Sequence, residues 1–197
     1  MKDITLILGG ARSGKSAFAE KIALAYKGRV TYFATADCRD EEMKKRIEMH
    51  RSRRPKEWGL WEGDPRELPR AAAETRGLML LDCLTMWLTR LFLAYPEAEG
   101  KDESAWFERE AEIAALVRAL CESVSGSSSL VIVSNEVGFG LVPPYLMGRR
   151  FRDLQGRMNQ LCAGYAKNAV LVVAGCPLWL KGGSSLPEED EGHGRLP

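Results

Sequence analysis

GGARSGKS, residues 9–16, is the stretch that decides how this chain can fold. It matches G-x-x-x-x-G-K-[ST], in which glycines let backbone N–H groups turn toward a phosphate chain and the following helix N-terminus adds partial positive charge. In this pattern Lys15 reaches the β- and γ-phosphates, and Ser16 is a ligand of Mg²⁺. We therefore predict a nucleoside triphosphate site made of eight residues: Gly9, Gly10, Ala11, Arg12, Ser13, Gly14, Lys15 and Ser16.

The flanking segments support this interpretation. Ile4 to Leu8 is a continuous apolar run, typical of a buried parallel strand, and a helical period begins at Ala17. Strand, glycine loop and helix is the order that a phosphate-binding loop requires. The alternative is an ordinary glycine-rich turn followed by a chance Lys-Ser pair.

Further apolar runs alternate with helical patterns along the chain. The predicted strands after the first are 29–35, 78–82, 130–134 and 170–175, and the predicted helices are 40–51, 65–75, 84–94, 102–124 and 145–168. Strands that alternate with helices indicate an α/β fold with a doubly wound, mostly parallel sheet. With a phosphate loop after its first strand, this is a P-loop NTPase-like, RecA-like single domain. We assign it to residues 1–181 and expect a disordered tail at 182–197, where Gly, Ser, Pro and acidic residues concentrate.

The composition indicates which classes of partner and environment the chain can have. Its 197 residues are 45% hydrophobic, enough for one sizeable core, and the net charge of +1 is spread without a basic field that would favour nucleic acid. The five cysteines are scattered and odd in number, which argues against a disulfide framework and a zinc site and suits a reducing cytoplasm. No signal-like segment and no apolar run of about 18 residues is present, so we expect no membrane span.

Asp82 is the candidate second residue of a magnesium site. It ends the run Leu78-Met79-Leu80-Leu81, the arrangement in which an acidic residue beside a phosphate loop holds Mg²⁺ directly or through water. The alternative is an aspartate that only caps the next helix.

The stretch 135–144 follows another predicted strand and is rich in glycine and proline. In an open α/β sheet, ligands bind at this carboxyl edge, although the stretch could also be a plain strand-to-helix connection. The arginines of the next helix, at 149, 150, 152 and 157, could be a solvated face or a substrate clamp.

Five motifs together carry a family resemblance. GGARSGKS, RIEMHRSRRPKEW, LLDCLT, VSNEVGFGLVP and RRFRDLQGRMNQ occur in this order between residues 4 and 181. They resemble the bifunctional adenosylcobinamide kinase and adenosylcobinamide-phosphate guanylyltransferase family of cobalamin biosynthesis. The resemblance implies phosphorylation of adenosylcobinamide with GTP or ATP, then transfer of GMP from GTP to that phosphate with release of pyrophosphate. It also suggests a homotrimer.

The resemblance implies roles for further residues. His50 occupies the place of a histidine that becomes covalently guanylylated, which suits an imidazole because it can attack phosphorus and later leave. Nucleotide contacts are implied for Ala34, Thr35, Ala36, Arg51, Ser52, Arg53, Arg54, Glu62 and Asp82. Without the resemblance, His50 would more ordinarily be a core or capping residue, and the basic residues around it could be solvated.

Two other functions remain open on the residues alone. A monofunctional P-loop kinase of another small alcohol or acid would need no His50. A nucleotide-dependent switch would produce a conformational change rather than a product.

Overall fold

The computed structural model describes residues 2–36, 55–96, 100 and 102–183. The strands are β1 (Ile4–Gly9), β2 (Val30–Ala34), β3 (Gly59–Trp61), β4 (Leu78–Asp82), β5 (Ser129–Asn135), β6 (Asn168–Val173) and β7 (Cys176–Lys181). The α-helices are α1 (Lys15–Ala25), α2 (Leu68–Glu74), α3 (Leu84–Leu93), α4 (Glu103–Ser123) and α5 (Leu146–Tyr165). Short 3₁₀ turns occupy Pro65–Glu67 and Val137–Phe139.

All seven strands form one sheet in the order β3-β2-β4-β5-β1-β6-β7. The pairings from β3 to β6 are parallel, and β7 runs antiparallel to β6. The carboxyl ends of β2, β4, β5 and β1 therefore lie along one edge, with β5 between the phosphate-loop strand and the strand of Asp82. This confirms the predicted α/β, P-loop NTPase-like fold with a mostly parallel sheet.

Alternating side chains of the strands enter two hydrophobic clusters, one on each face of the sheet. Ile4, Leu6 and Leu8 of β1 face the larger cluster, which α2, α3, α4 and α5 cover. Ile7 faces the smaller cluster, to which α1 contributes Ala19 and Ala23. A continuous apolar run such as Ile4–Leu8 predicts a strand that is buried on both faces of the sheet, because successive side chains point to opposite faces.

The prediction of five strands was incomplete, because β3 and β7 extend the sheet at its two edges. β3 has three residues, too few for a recognisable period, and pairs with β2 from Thr31 to Phe33. β7 begins with Cys176-Pro177 and alternates exposed with half-buried residues, so it lacks the continuous apolar run of a central strand. Proline is tolerated there because the strand lies at an edge.

Two predicted boundaries around residue 168 were wrong. The helix predicted to reach Asn168 ends at Tyr165, and Ala166 takes an extended conformation. Asn168 already belongs to β6, where its side-chain Nδ2 donates to Thr5 Oγ1 at 3.4 Å. β6 ends at Val173 rather than at Gly175, because Ala174 and Gly175 have φ of 52° and 82° and form the turn into β7.

Several predictions fall on residues that lie outside the described ranges. They are the helix at 40–51, the side chain of His50, and residues 184–197 of the expected tail. Among the described cysteines, those at 83, 121, 162 and 176 are free thiols. No helix in the described part of the chain combines the length and the apolar character that crossing a bilayer requires.

Candidate active site

The loop between β1 and α1 is shaped by close backbone approaches. A Cβ on Gly9 would lie 2.4 Å from Ser13 Oγ and 2.7 Å from the carbonyl oxygen of Val172, so only glycine fits there. Gly14 precedes α1 with φ of 94°, in the left-handed region that favours glycine. The β6–β7 turn supports the loop from outside, because the Gly175 N–H donates to Ser13 O at 2.8 Å.

Lys15 is held over this loop in a buried position. Its side chain is 8% exposed, and its Nζ donates to Gly10 O at 3.0 Å. Burial lowers the pKa of the ammonium group, and the nearby Cys83 and Asp82 partly oppose this change. A cation taken out of water and given a backbone carbonyl as partner is a preorganised site for an incoming anion.

Ser16, the residue after Lys15, contacts Asp82 at the same edge of the sheet. Ser16 Oγ donates to Asp82 Oδ1 at 3.4 Å, so the first turn of α1 and the end of β4 are in contact. A hydroxyl and a carboxylate are hard oxygen donors of the kind that Mg²⁺ prefers. These two residues therefore fit the predicted metal site, in which phosphate oxygens and water would supply the remaining ligands.

Thr35 connects the ends of β2 and β4. Its hydroxyl donates to Cys83 O at 2.7 Å and accepts from the Cys83 N–H at 2.9 Å, which fixes the backbone directly after Asp82. Burial raises the pKa of the Cys83 thiol to about 12, and the charge of Asp82 adds to the effect, so this thiol stays protonated near neutral pH. A protonated thiol is a weak nucleophile, and Cys83 packs against the smaller hydrophobic cluster.

A buried polar network at the end of β5 was not identified from the sequence. Ser134 Oγ donates to Asn159 Oδ1 at 2.7 Å, and Gln155 Nε2 donates to Ser134 Oγ and to Asn159 Oδ1 at 3.0 and 2.9 Å. Asn159 Nδ2 in turn donates to Asn135 O and to Glu136 Oε1 at 3.2 and 2.9 Å. The Glu136 N–H donates to Gly9 O at 3.2 Å. The network thus joins α5 to the strand of the phosphate loop.

The comparison with known proteins identifies the family. The family described as "Cobinamide kinase / cobinamide phosphate guanyltransferase" matches residues 5–180, which contain all of the groups just described. The chain belongs to this family. It is therefore an enzyme of the kinase and nucleotidyltransferase class, and the family resemblance stated from the motifs is confirmed.

Three relatives align over most of their own length. The bifunctional adenosylcobalamin biosynthesis protein CobP of Pseudomonas aeruginosa is 41% identical over 180 residues, covering 90% of this chain and 96% of that protein. The proteins named CobU of Escherichia coli and Salmonella typhimurium are 37% and 34% identical, each covering 89% of this chain and 98% of the relative. Among solved structures, an ATPase from the type III secretion system of pathogenic bacteria superposes with a TM-score of 0.47 at 14% identity, over 86% of this chain and 50% of that chain.

The cobinamide kinase fold brings together part of the predicted nucleotide site. Ala34 ends β2 and Thr35 and Ala36 follow it, at the same edge as the phosphate loop and Asp82, and Thr35 is hydrogen-bonded to Cys83. Glu62 is exposed and follows β3, four strands from β1. At about 4.8 Å per strand it lies roughly 19 Å along the sheet, so it does not share the phosphate cradle. Its contact with guanosine stays a prediction.

The remaining predicted residues of the family motif lie outside the described ranges. They are His50, Arg51, Ser52, Arg53 and Arg54. Their roles therefore stay predictions.

The four arginines of α5, at 149, 150, 152 and 157, all bond to other groups of the protein. Arg149 donates to Pro144 O at 2.8 Å and Arg152 to Gly138 O at 3.2 Å, so both hold the connection after β5. Arg150 is 6% exposed, donates to Gly100 O at 2.6 Å and lies over the ring of Trp106. Arg157 pairs with Glu110 of α4. In the described structure these side chains bond to the protein itself, and a role as a substrate clamp stays a prediction.

Proposed function

We propose that this chain phosphorylates adenosylcobinamide with GTP or ATP, and then transfers GMP from GTP to the product through a guanylylated His50. The products of the second reaction would be adenosylcobinamide-GDP and pyrophosphate. The family match over residues 5–180 supports both reactions. The observation that carries the proposal is the meeting of Lys15, Ser16 and Asp82 at one end of the sheet, with the lysine buried against the loop.

This arrangement supports the kinase reaction. The hydroxyl oxygen of the acceptor attacks the γ-phosphorus, and the bond from this phosphorus to the β–γ bridging oxygen breaks, releasing a nucleoside diphosphate. Loop N–H groups and Lys15 neutralise the charge on the phosphoryl oxygens, which is the main task of a protein in such a reaction. Ser16 and Asp82 would hold Mg²⁺, which supplies further charge neutralisation on the β- and γ-oxygens when it is bound.

The second reaction needs a nucleophile that can attach to and leave an α-phosphorus. An imidazole nitrogen of His50 would attack this atom and displace pyrophosphate, and a phosphate oxygen of the acceptor would then displace the imidazole. A neutral imidazole can do this near neutral pH, whereas a lysine would first have to lose its proton. The family resemblance supports His50 for this role.

The proposal is tested by protein labelling. Wild-type protein incubated with GTP labelled at the α-phosphate should retain label that is lost in acid and kept in alkali, and it should transfer GMP to adenosylcobinamide phosphate. His50→Ala and His50→Asn should abolish both signals yet leave phosphorylation of adenosylcobinamide detectable. His193→Ala is the matched control, since it removes the other histidine of the chain.

The outcomes separate the alternatives. A monofunctional kinase would phosphorylate its acceptor without any protein label, and a nucleotide switch would form neither product. The guanylylated intermediate is refuted if the His50 variants, shown by circular dichroism to be folded, keep the acid-labile label.

A further inference from the structure

Glu136 is a carboxylate at the phosphate edge for which neither the loop motif nor the metal pair has a role. It follows β5, which lies between β4 and β1, so the ends that carry Asp82, Glu136 and Gly9 are consecutive in the sheet. At roughly 4.8 Å per strand, the three ends fall within about 10 Å of one another. Glu136 is half-buried, so that a bound molecule can reach it.

The position of Glu136 relative to the phosphate loop is fixed at the backbone. Its N–H donates to Gly9 O, and Lys15 Nζ donates to the carbonyl of the next residue, Gly10. The glutamate and the lysine are thus anchored on adjacent carbonyls of one loop. A carboxylate so close to a triphosphate repels it, so Glu136 is unsuited to bind the phosphates themselves.

The side chain is also held in place, through one of its oxygens. Oε1 accepts from Asn159 Nδ2 at 2.9 Å. Asn159 is oriented by Ser134 and Gln155, two side chains with no exposed surface, at 2.7 and 2.9 Å. Such a buried and connected network keeps a functional group in one orientation without reorganisation during the reaction.

We propose that Glu136 accepts the proton of the attacking hydroxyl in the kinase reaction, and that Asn159 positions it. This inference rests on the proposed kinase function. As the hydroxyl oxygen bonds to the γ-phosphorus, its proton passes to the Glu136 carboxylate, and the electron pair of the breaking P–O bond leaves with the nucleoside diphosphate. Asp82 contacts Ser16 on the metal side, so Asp82 and Glu136 take different roles.

Glu136→Gln is the decisive variant, because the amide oxygen can still accept from Asn159 while the basicity is lost. Positioned general bases contribute about 10²- to 10⁴-fold. We expect kcat for phosphorylation of adenosylcobinamide by γ-labelled GTP to fall at least about 100-fold, with the KM for GTP within about threefold. Glu136→Asp, which keeps a carboxylate but shortens it, should retain about tenfold more activity than Glu136→Gln. Glu74→Gln, an exposed glutamate at the end of α2, is the matched control and should match wild type.

Asn159 is tested as a positioning residue by a double-mutant cycle. Asn159→Ala should lower kcat about tenfold in the wild-type background and have no further effect in the Glu136→Gln background, because it acts through the glutamate. A purely structural role would lower activity equally in both backgrounds. Melting temperatures of all four proteins give the loss of stability separately from the loss of kcat.

The two proposals fail in different ways. Three results would each overturn the role of Glu136. The first is a Glu136→Gln activity within threefold of wild type, and the second is restoration of the activity of this variant by raised Mg²⁺. The third is a Glu136→Gln activity equal to or above that of Glu136→Asp. If wild-type protein makes no labelled adenosylcobinamide phosphate, the proposed function fails. The role of Glu136 is then tested by the slow hydrolysis of γ-labelled GTP, in which water replaces the acceptor hydroxyl. We expect wild type to be the most active, followed by Glu136→Asp and then Glu136→Gln.

Discussion

Replacing Lys15 with methionine should separate the stability of this protein from its ability to bind nucleotide. Lys15 is 8% exposed, and its ammonium group is held in the fold with a lowered pKa caused chiefly by burial. Methionine has a similar length and no charge to desolvate. We therefore expect Lys15→Met to be more stable than wild type by about 1 kcal/mol without nucleotide, since a buried charge is costly even when hydrogen-bonded. For a chain of this size, that raises the melting temperature by about 2–4 °C.

The effect on nucleotide binding has the opposite sign. A unit charge about 4 Å from a phosphate oxygen contributes about 4 kcal/mol at an effective dielectric constant near 20. The loss of hydrating water from the phosphate offsets part of this attraction. A net loss of about 3–4 kcal/mol corresponds to a decrease of roughly 10²- to 10³-fold in kcat/KM for the kinase reaction.

The difference in stability between Lys15→Met and wild type should also depend on pH. Because the pKa of Lys15 is lowered from its ordinary value of 10.5, the unfolded chain binds this proton more tightly than the folded protein. Between the folded-state pKa and 10.5 the unfolded state therefore carries more protons, and the free energy of unfolding of wild type rises with pH. Lys15→Met lacks this contribution, so its stability advantage should shrink as the pH approaches 10.5.

Thermal unfolding with and without GTP and Mg²⁺, repeated between neutral pH and pH 10.5, tests the stability, the nucleotide binding and the pH dependence, and a kinase assay gives kcat/KM. Lys15→Met should melt at or above the wild-type temperature in the absence of GTP and show little of the GTP-dependent increase. Lys15→Arg is a control that retains the charge but cannot lose its proton, so the alkaline change should also disappear. The reasoning is refuted if Lys15→Met melts several degrees below wild type without nucleotide, or if it keeps the full GTP-dependent increase.

Asp82→Asn tests the metal site, and Gly77→Ala, with Gly126→Ala as its control, tests the turn before β4. Asp82→Asn keeps the shape of the side chain but loses its charge, so the apparent affinity for Mg²⁺ should fall about 10- to 100-fold and raised Mg²⁺ should partly restore activity. An unchanged Mg²⁺ dependence would contradict the metal role of Asp82. Gly77→Ala should lower the free energy of unfolding by about 3 kcal/mol, because φ is 87° and a Cβ would lie 2.2 Å from Arg29 O. Gly126 has φ of 59° and no atom within 4 Å of the position of a Cβ, so Gly126→Ala should lower the free energy of unfolding by only about 1 kcal/mol. Urea denaturation measures both variants, and equal losses of stability for Gly77→Ala and Gly126→Ala would contradict the clash at Gly77.

Local patterns were sufficient for the central elements of the fold. The apolar run Ile4–Leu8, the glycine loop and the helix after it are each specified by neighbouring residues, and all three are observed. Asp82 could be identified in the same way, because four apolar residues that end in a carboxylate form a short, contiguous signal. The edge strands could not, since β3 is too short and β7 is too exposed to have the pattern of a buried strand.

The amino-acid sequence by itself determined the phosphate loop, the family and the alternation of strands and helices, because these depend on residues close together in the chain. Only the tertiary structure placed β5 between β1 and β4, which brings Glu136 to the phosphate edge. It alone joined Thr35 to Cys83 and Asn159 to Glu136, pairs separated by 48 and 23 residues. The physical reason is that strand order and side-chain networks are set by packing and hydrogen bonds between distant segments, and no local periodicity encodes which segments meet.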